Sequence, residues 1–358
     1  MEQAVTVPAA PMQSPTLEAM SFTGKSGEYF RIWIVNLCLT VITLGIYSPW
    51  AKVRRNKYLY RHSHVAGASF DYLADPVAIL KGRLIALGAL GLYLGSSVVL
   101  PAFSALIGLA IALAVPWLLV RSRMFAMRNT SYRNVRFRFK PIYAEAFKII
   151  VGRFLLVLIS LGLYYPIFRY HRSRMIVDNT AYGTLDLKLS DKISGGDFYS
   201  IYVSAGVLFA LVVFLVAIPL FTAATGSADA NGDAAPSIGW LAFGPTALFG
   251  ALYLLTYYGV HAAITRLVLR GTAAGPHQLR CDWTLTMLLW IQASNLVAIV
   301  LSLGLLIPWA TIRMQAYKLP LLTVAVHGDL AAVAAAEAEE VSALGDEIGE
   351  TFDYDFGL

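Results

Sequence analysis

The amino-acid sequence predicts an all-α polytopic membrane protein with internal repeats, whose cytoplasmic loops carry short β-strands that are candidates for one small sheet. Three observations predict it. The chain of 358 residues is 58% hydrophobic and 14% charged, with a mean hydropathy of +0.63, far from the balance of a soluble domain. An apolar run broken by a Gly-x-x-x-Pro step occurs three times. Each run gives way to bases, the mark of a cytoplasmic flank.

Residues 1–28 read as a flexible N-terminal lead-in. They contain Pro8, Pro11 and Pro15 among Ala, Ser and Thr, and lack the basic start and apolar core of a signal peptide. Residues 29–142 form a first repeat. Its apolar run from Ile32 to Trp50 covers about 28 Å as helix, close to the thickness of a bilayer's hydrocarbon. Gly45 and Pro49 break that run, and Tyr47 and Trp50 suit the water interface. Lys52, Arg54, Arg55, Lys57 and Arg61 follow. Residues 67–72 then alternate like a strand, and Asp75-Pro76 opens a helix. Runs 79–98 and 102–120 make a membrane hairpin that ends in Arg121, Arg123 and further bases as far as Lys140. Within that stretch Val135–Phe139 alternates strictly.

Residues 143–285 repeat the organisation. Gly162 and Pro166 break the run, Arg169, Arg172 and Arg174 follow, and residues 184–189 alternate. A second membrane hairpin, about 199–222 and 240–262, encloses an outer loop, 223–239, without Lys or Arg. Residues 286–328 are a partial third repeat, broken at Gly304 and Pro308. Residues 329–358 are an acidic C-terminal tail. All nine acids beyond residue 318 lie there, with no base, although the whole chain carries a net charge of +6.

Finer registers support duplication. A polar residue lies nine positions before each Gly: Asn36, Arg153 and Asn295. Thirteen residues after Pro49, Pro116 and Pro166 stand His62, Asn129 and Asn179, and twenty-one after stand Phe70, Phe137 and Leu187. Such agreement at fixed spacing points to repetition of one unit.

Charge and length pull the topology apart. Five basic segments all belong in the cytoplasm by the positive-inside rule, yet seven alternating spans place two of them outside. Four spans with three re-entrant Gly-x-x-x-Pro segments remove the conflict. Run length favours seven.

Several strings carry a resemblance: Phe22-Thr23-Gly24, Glu28-Tyr29-Phe30, Thr43-Leu44-Gly45-Ile46-Tyr47-Ser48-Pro49-Trp50, Asn129-Thr130 and the close Phe352-Asp353-Tyr354-Asp355. With them the chain resembles the YjgN family of bacterial inner-membrane proteins over nearly its whole length. The resemblance implies a multi-pass location in the inner membrane of a Gram-negative bacterium, and no established activity. Segment two departs from the pattern, with Ile167 in place of Trp and Arg153 within the run.

No catalytic constellation declares itself, and no cofactor is implied. His62 and His64 stand too close for a helical metal pair. The better candidates are the intramembrane polar register Asn36, Arg153 and Asn295, since such groups are expensive to hold in lipid. Arg54, Arg55, Arg121, Arg123, Arg172 and Arg174 are candidate contacts for anionic lipid headgroups. Bases this close to the bilayer, without a recognition fold, speak against nucleic acid. The acidic tail is a candidate to dock on the basic loops through residues 352–356. These features favour a membrane-embedded transporter, channel or lipid-handling protein. The alternative is a structural or regulatory scaffold acting through the cytoplasmic loops and tail, with an enzyme acting on lipid as a third reading.

Overall fold

The computed structural model describes residues 15–219 and 243–327. Its organising element is a sheet. The strands are β1 (Thr16–Ala19), β2 (Ser21–Phe22), β3 (Ser63–Val65), β4 (Ala68–Tyr72), β5 (Thr130–Tyr132), β6 (Val135–Phe139), β7 (Thr180–Tyr182), β8 (Leu185–Leu189), β9 (Thr272–Ala274), β10 (His277–Cys281) and β11 (Leu322–Val326). They join as one 11-stranded sheet in the order β1-β11-β10-β9-β8-β7-β6-β5-β4-β3-β2. The strands at its two ends are neighbours in the chain, separated by Met20 alone, so the sheet returns on itself. Met20 N–H donates to Leu322 O at 2.9 Å, and Thr23 N–H to His62 O at 3.0 Å.

This closure corrects the expected fold class. The protein is largely helical but not all-α, and its strands do not make a small sheet. Each β-hairpin is too short to stand alone, and each gains stability from the next hairpin along the chain, as where Phe70 pairs with Tyr132 and Phe137 with Tyr182. Those partners are distant in sequence, so local alternation does not reveal them. Closure also removes the exposed edges that an open sheet presents.

Inside the ring lies a packed cluster. Val65, Tyr132, Val135 and Tyr182 are buried there, with Met20, Phe70, Phe137, Leu187 and Val324 against them. The tyrosine hydroxyls find acceptors within it: Tyr132 donates to Val65 O at 2.8 Å and Tyr182 to Tyr132 O at 3.1 Å. Phe70–Tyr132 and Phe137–Tyr182 ring centroids are 4.9 and 5.0 Å apart, aromatic pairs worth about 1 kcal/mol each beyond their burial.

Five helical excursions leave this sheet and return to it. They are α1 (Ser26–Ile42) with α2 (Ser48–Arg61); α3 (Pro76–Val99) with α4 (Pro101–Arg128); α5 (Tyr143–Phe147), a π-turn and α6 (Arg153–Ile159) with α7 (Tyr165–Asp178); α8 (Gly195–Val212) with α9 (Phe243–Arg270); and α10 (Leu285–Leu301) with α11 (Ile307–Lys318). Each departs from one strand and returns to a strand paired with it, so both ends of every excursion lie on the sheet side. Neighbouring excursions pack side by side, and α1 closes the circle against α11.

Four described helices are long and apolar enough to cross a membrane: Pro76–Val98, Ala102–Arg128, Gly195–Val216 and Thr246–Arg270. The three Gly-x-x-x-Pro segments are not continuous helices, which corrects the preference for seven spans. At each one the chain turns back. Leu44-Gly45, Leu161-Gly162 and Leu303-Gly304 share one conformation, with φ of 49 and 91°, 52 and 92°, and 51 and 91°. Each Gly N–H reaches five residues back, to Thr40, Val157 and Ile299 O at 2.7, 2.7 and 2.8 Å. Thr43, Ser160 and Ser302 supply a hydroxyl to the N–H of Tyr47, Tyr164 and Leu306 at 3.0, 2.9 and 3.1 Å. Leu44, Leu161 and Leu303 stand at the tips, 93, 93 and 94% exposed. A tip that presents leucine outward while satisfying its backbone internally suits hydrocarbon.

The register thirteen residues past each Pro stops the helices. Asn129 and Asn179 donate from Nδ2 to the carbonyls of Phe125 and Met175 at 2.7 and 2.8 Å, and His62 Nδ1 lies 2.7 Å from Tyr58 O. At helix starts, Asp75 accepts from the N–H of Val77 and Ala78, and Ser194 with Asp197 forms a capping box. The lead-in drawn over residues 1–28 includes β1 and β2. The acidic tail, its docking through residues 352–356 and the outer loop 223–239 lie outside the described residues.

Candidate functional site

A helix that starts just past a turn at Gly162 presents one polar face. On α7, Tyr165, Arg169 and Arg172 follow at i, i+4 and i+7, so they lie together. On α9, Tyr253, Tyr257 and His261 do the same at i, i+4 and i+8. Together with Tyr202 of α8 these residues line a cavity of about 570 Å³ between the second Gly-x-x-x-Pro hairpin and the α8–α9 pair. The Tyr165 and Tyr202 rings meet edge to face, with centroids 5.6 Å apart at 89°.

The cavity's electrostatics are one-sided. No carboxylate belongs to its described lining, whereas Arg169 and Arg172 do. Arg172 Nε is buried without an acceptor among the described residues. Burial, and then the like charges of Arg169 and Arg123, hold the Arg172 guanidinium below its ordinary pKa. Guanidinium forks match phosphate and carboxylate oxygens, and phenol hydroxyls add neutral donors. Such a lining is chemically suited to an anion.

An apolar groove of about 680 Å³ runs between α8, α9 and α10, lined in part by Leu208, Leu252, Leu289 and Trp290. Four residues, Ala205, Phe209, Thr256 and Val260, line both the groove and the cationic cavity. The two spaces are therefore separated by a single layer of side chains.

The headgroup candidates divide. Arg172 lines the cavity and Arg123 charges its surroundings. Arg174 is already engaged: it bonds Tyr170 Oη at 2.9 Å, Asp178 at 3.2 Å and Asp191. The hydrogen bonds it donates to Tyr170 and Asp191 hold its pKa above the ordinary value. Arg54 lies over the Tyr47 ring at 5.8 Å and Arg121 over Trp117 at 5.5 Å. Arg55 lines a separate cavity in the first hairpin.

The polar register Asn36, Arg153 and Asn295 is spread over three separate hairpins. Asn295 is buried, donating to Ala310 O at 3.3 Å and accepting from Arg313 Nη1 at 3.0 Å. Asn36 is buried beside the first-hairpin cavity. Arg153 is half-buried and begins α6 directly after the π-turn at Lys148–Gly152. Sequence reasoning read Arg169 only as part of a basic tail and missed Tyr202, Tyr253 and Tyr257. The four-residue spacing of Tyr253, Tyr257 and His261 in an apolar run was the available signal.

These features define a multi-pass membrane protein whose helical hairpins stand on one closed sheet. The chain belongs to the family described as bacterial protein of unknown function (DUF898), which matches residues 17–351. It is 36% identical over 124 residues to Inner membrane protein YjgN of Salmonella typhimurium, a match covering 33% of this chain and 30% of that protein. It is 49% identical over 51 residues to Inner membrane protein YjgN of Escherichia coli K12, covering 14% and 13%. The matched stretches thus span less than a third of these relatives' length. No solved structure matches. The protein is an inner-membrane protein.

Proposed function

We propose that this protein binds and handles an anionic lipid, with the headgroup among Arg169, Arg172 and the tyrosines and an acyl chain in the groove beside α8 and α9. One observation carries the reading: the cationic cavity and the apolar groove share a wall made of Ala205, Phe209, Thr256 and Val260. An amphiphile needs such a pair of spaces within a few ångströms of each other. A channel along the ring axis fits less well, because aromatic side chains fill the sheet interior.

The test is the lipid that stays with the purified full chain, measured by native mass spectrometry. Each base near an anionic headgroup contributes about 1 kcal/mol. The double variant Arg169→Gln, Arg172→Gln therefore retains about thirtyfold less phosphatidylglycerol or cardiolipin, with zwitterionic lipid unchanged. Equal retention by wild type and variant overturns the reading and favours a scaffold acting through the sheet.

A further inference from the structure

The first re-entrant hairpin holds a second cavity, of about 320 Å³, built on different residues. On α1, Tyr29, Trp33, Asn36 and Thr40 face it, and on α2, Ser48, Lys52 and Arg55 do so at i, i+4 and i+7. Arg83 reaches in from α3 and donates to Ser48 Oγ. Three bases thus meet in one small space, with no carboxylate in its described lining.

Asn36 supplies the discriminating detail. It is 6% exposed, and its Oδ1 has no donor among the described residues. The third hairpin shows what a filled version looks like. There Asn295, at the same distance before its Gly, accepts from Arg313, five residues past Pro308. Five residues past Pro49 stands Arg54, which lies over Tyr47 instead. A buried amide oxygen without a donor is costly, by about 1–3 kcal/mol. It therefore calls for a donor from the ligand.

We propose that this cavity is a site for a phosphate bearing a neighbouring hydroxyl, the chemistry of phosphoglycerol. Lys52, Arg55 and Arg83 take the phosphate oxygens, and Asn36 Oδ1 accepts from the hydroxyl. An ammonium could also donate to Asn36, but a fourth cation beside three bases is repelled. The volume accommodates a headgroup and not a whole lipid. The same chemistry reaches the site from two sources, phosphatidylglycerol in the membrane or free glycerol phosphate. The inference is independent of the α7 cavity.

The experiment uses the full chain carrying Arg169→Gln and Arg172→Gln, so that lipid lost from the α7 cavity does not count. Binding of phosphatidylglycerol and of phosphatidic acid, which lacks the glycerol hydroxyls, is measured in nanodiscs of otherwise zwitterionic lipid. Free glycerol 3-phosphate is then tested as a competitor. Asn36→Leu is expected to lower the preference for phosphatidylglycerol over phosphatidic acid about fivefold, the value of one hydrogen bond. Lys52→Gln with Arg55→Gln, both exposed on α2, is expected to weaken both lipids about thirtyfold. Competition by the free compound assigns the site to a soluble ligand and its failure assigns it to the lipid; either outcome sustains the chemistry. Unchanged binding in the α2 double variant, or an unchanged preference in a folded Asn36→Leu, overturns it.

Discussion

Met20 donates its backbone N–H to Leu322 O at 2.9 Å, and that bond helps tie the first described strand to the last. On one side of Met20, β1 pairs with β11, as where Leu17 faces Ala325. On the other, β2 pairs with β3, as where Phe22 faces Ser63. One residue therefore carries the seam of the sheet. Four of the five hairpins in the ring are continuous in the chain, and the fifth is divided between its two ends.

Met20→Pro removes the donor while leaving Leu322 O without its partner. The expected cost is about 2 kcal/mol, read as a lower unfolding temperature of the purified protein in detergent. Met20→Leu, which keeps the N–H and the packing against the ring cluster, is expected to behave as wild type. A proline variant as stable as wild type would show that the seam does not hold the ring closed.

The hairpin tips make a second prediction. Gly162 has a φ of 92° and its N–H is bonded to Val157 O, so Gly162→Ala places a Cβ in a conformation that costs roughly 1–2 kcal/mol. Ser160→Ala leaves the Tyr164 N–H without its hydroxyl, at about 1 kcal/mol. Both variants are expected to unfold at lower temperature, and Leu163→Ala, on the exposed side of the turn, to change little. Equal stability of Gly162→Ala and wild type would refute the strained-turn account.

Much of this architecture was legible in the residues, for identifiable reasons. Helix stops at Asn129 and Asn179 and the start at Asp75 are local chemistry, and fixed spacing exposes them. The depth of the Gly-x-x-x-Pro segments was not legible from length. The run from Ile32 to Trp50 is counted straight through a turn at residues 43–47, so apolar residues on two antiparallel helices read as one span. The hydroxyl two residues before each Gly, in Thr43, Ser160 and Ser302, was the overlooked sign that the backbone turns there. Closure of the sheet was hidden because the pairings between its hairpins, such as Phe22 with Ser63 and Tyr72 with Thr130, join residues more than forty apart. The cavity was hidden likewise: Arg169 and Arg172 appear as charges, but Tyr202 and Tyr253 come from another excursion.

His277 provides a pH dependence. It is buried on β10, and its Nδ1 accepts from His327 N–H at 3.2 Å, next to the end of β11. Burial, and then the charge of His327, hold its pKa below the ordinary value of 6.5. In the unfolded chain His277 takes up its proton at the higher, ordinary pKa, so the native state binds fewer protons as pH falls past 6.5. Its contribution to stability is complete above pH 6.5 and declines below it, down through the folded pKa. His277→Gln retains an acceptor and cannot titrate. Unfolding temperatures from pH 8 to pH 5 are expected to fall more steeply for wild type than for this variant. Parallel curves would remove His277 as the cause.

The last prediction concerns sidedness. Because every excursion leaves and re-enters the sheet on paired strands, all the β-hairpins lie on one side, and by the positive-inside rule the bases that flank them lead us to expect that side to be the cytoplasm. Ser69, Arg136, Lys188 and Gln278 are exposed, one on each of β4, β6, β8 and β10. Single cysteines at these positions are introduced after replacing Cys38, which is exposed, and Cys281. All four are expected to resist an impermeant thiol reagent in intact cells and to react in inverted membrane vesicles. Seven alternating spans predict a different pattern: the hairpins after α7 and α9 lie outside, so cysteines at Lys188 and Gln278 react in intact cells while those at Ser69 and Arg136 do not. Labelling of the Lys188 and Gln278 positions from outside would defeat the single closed sheet as well as the re-entrant hairpins, since strands on opposite sides of a bilayer cannot pair.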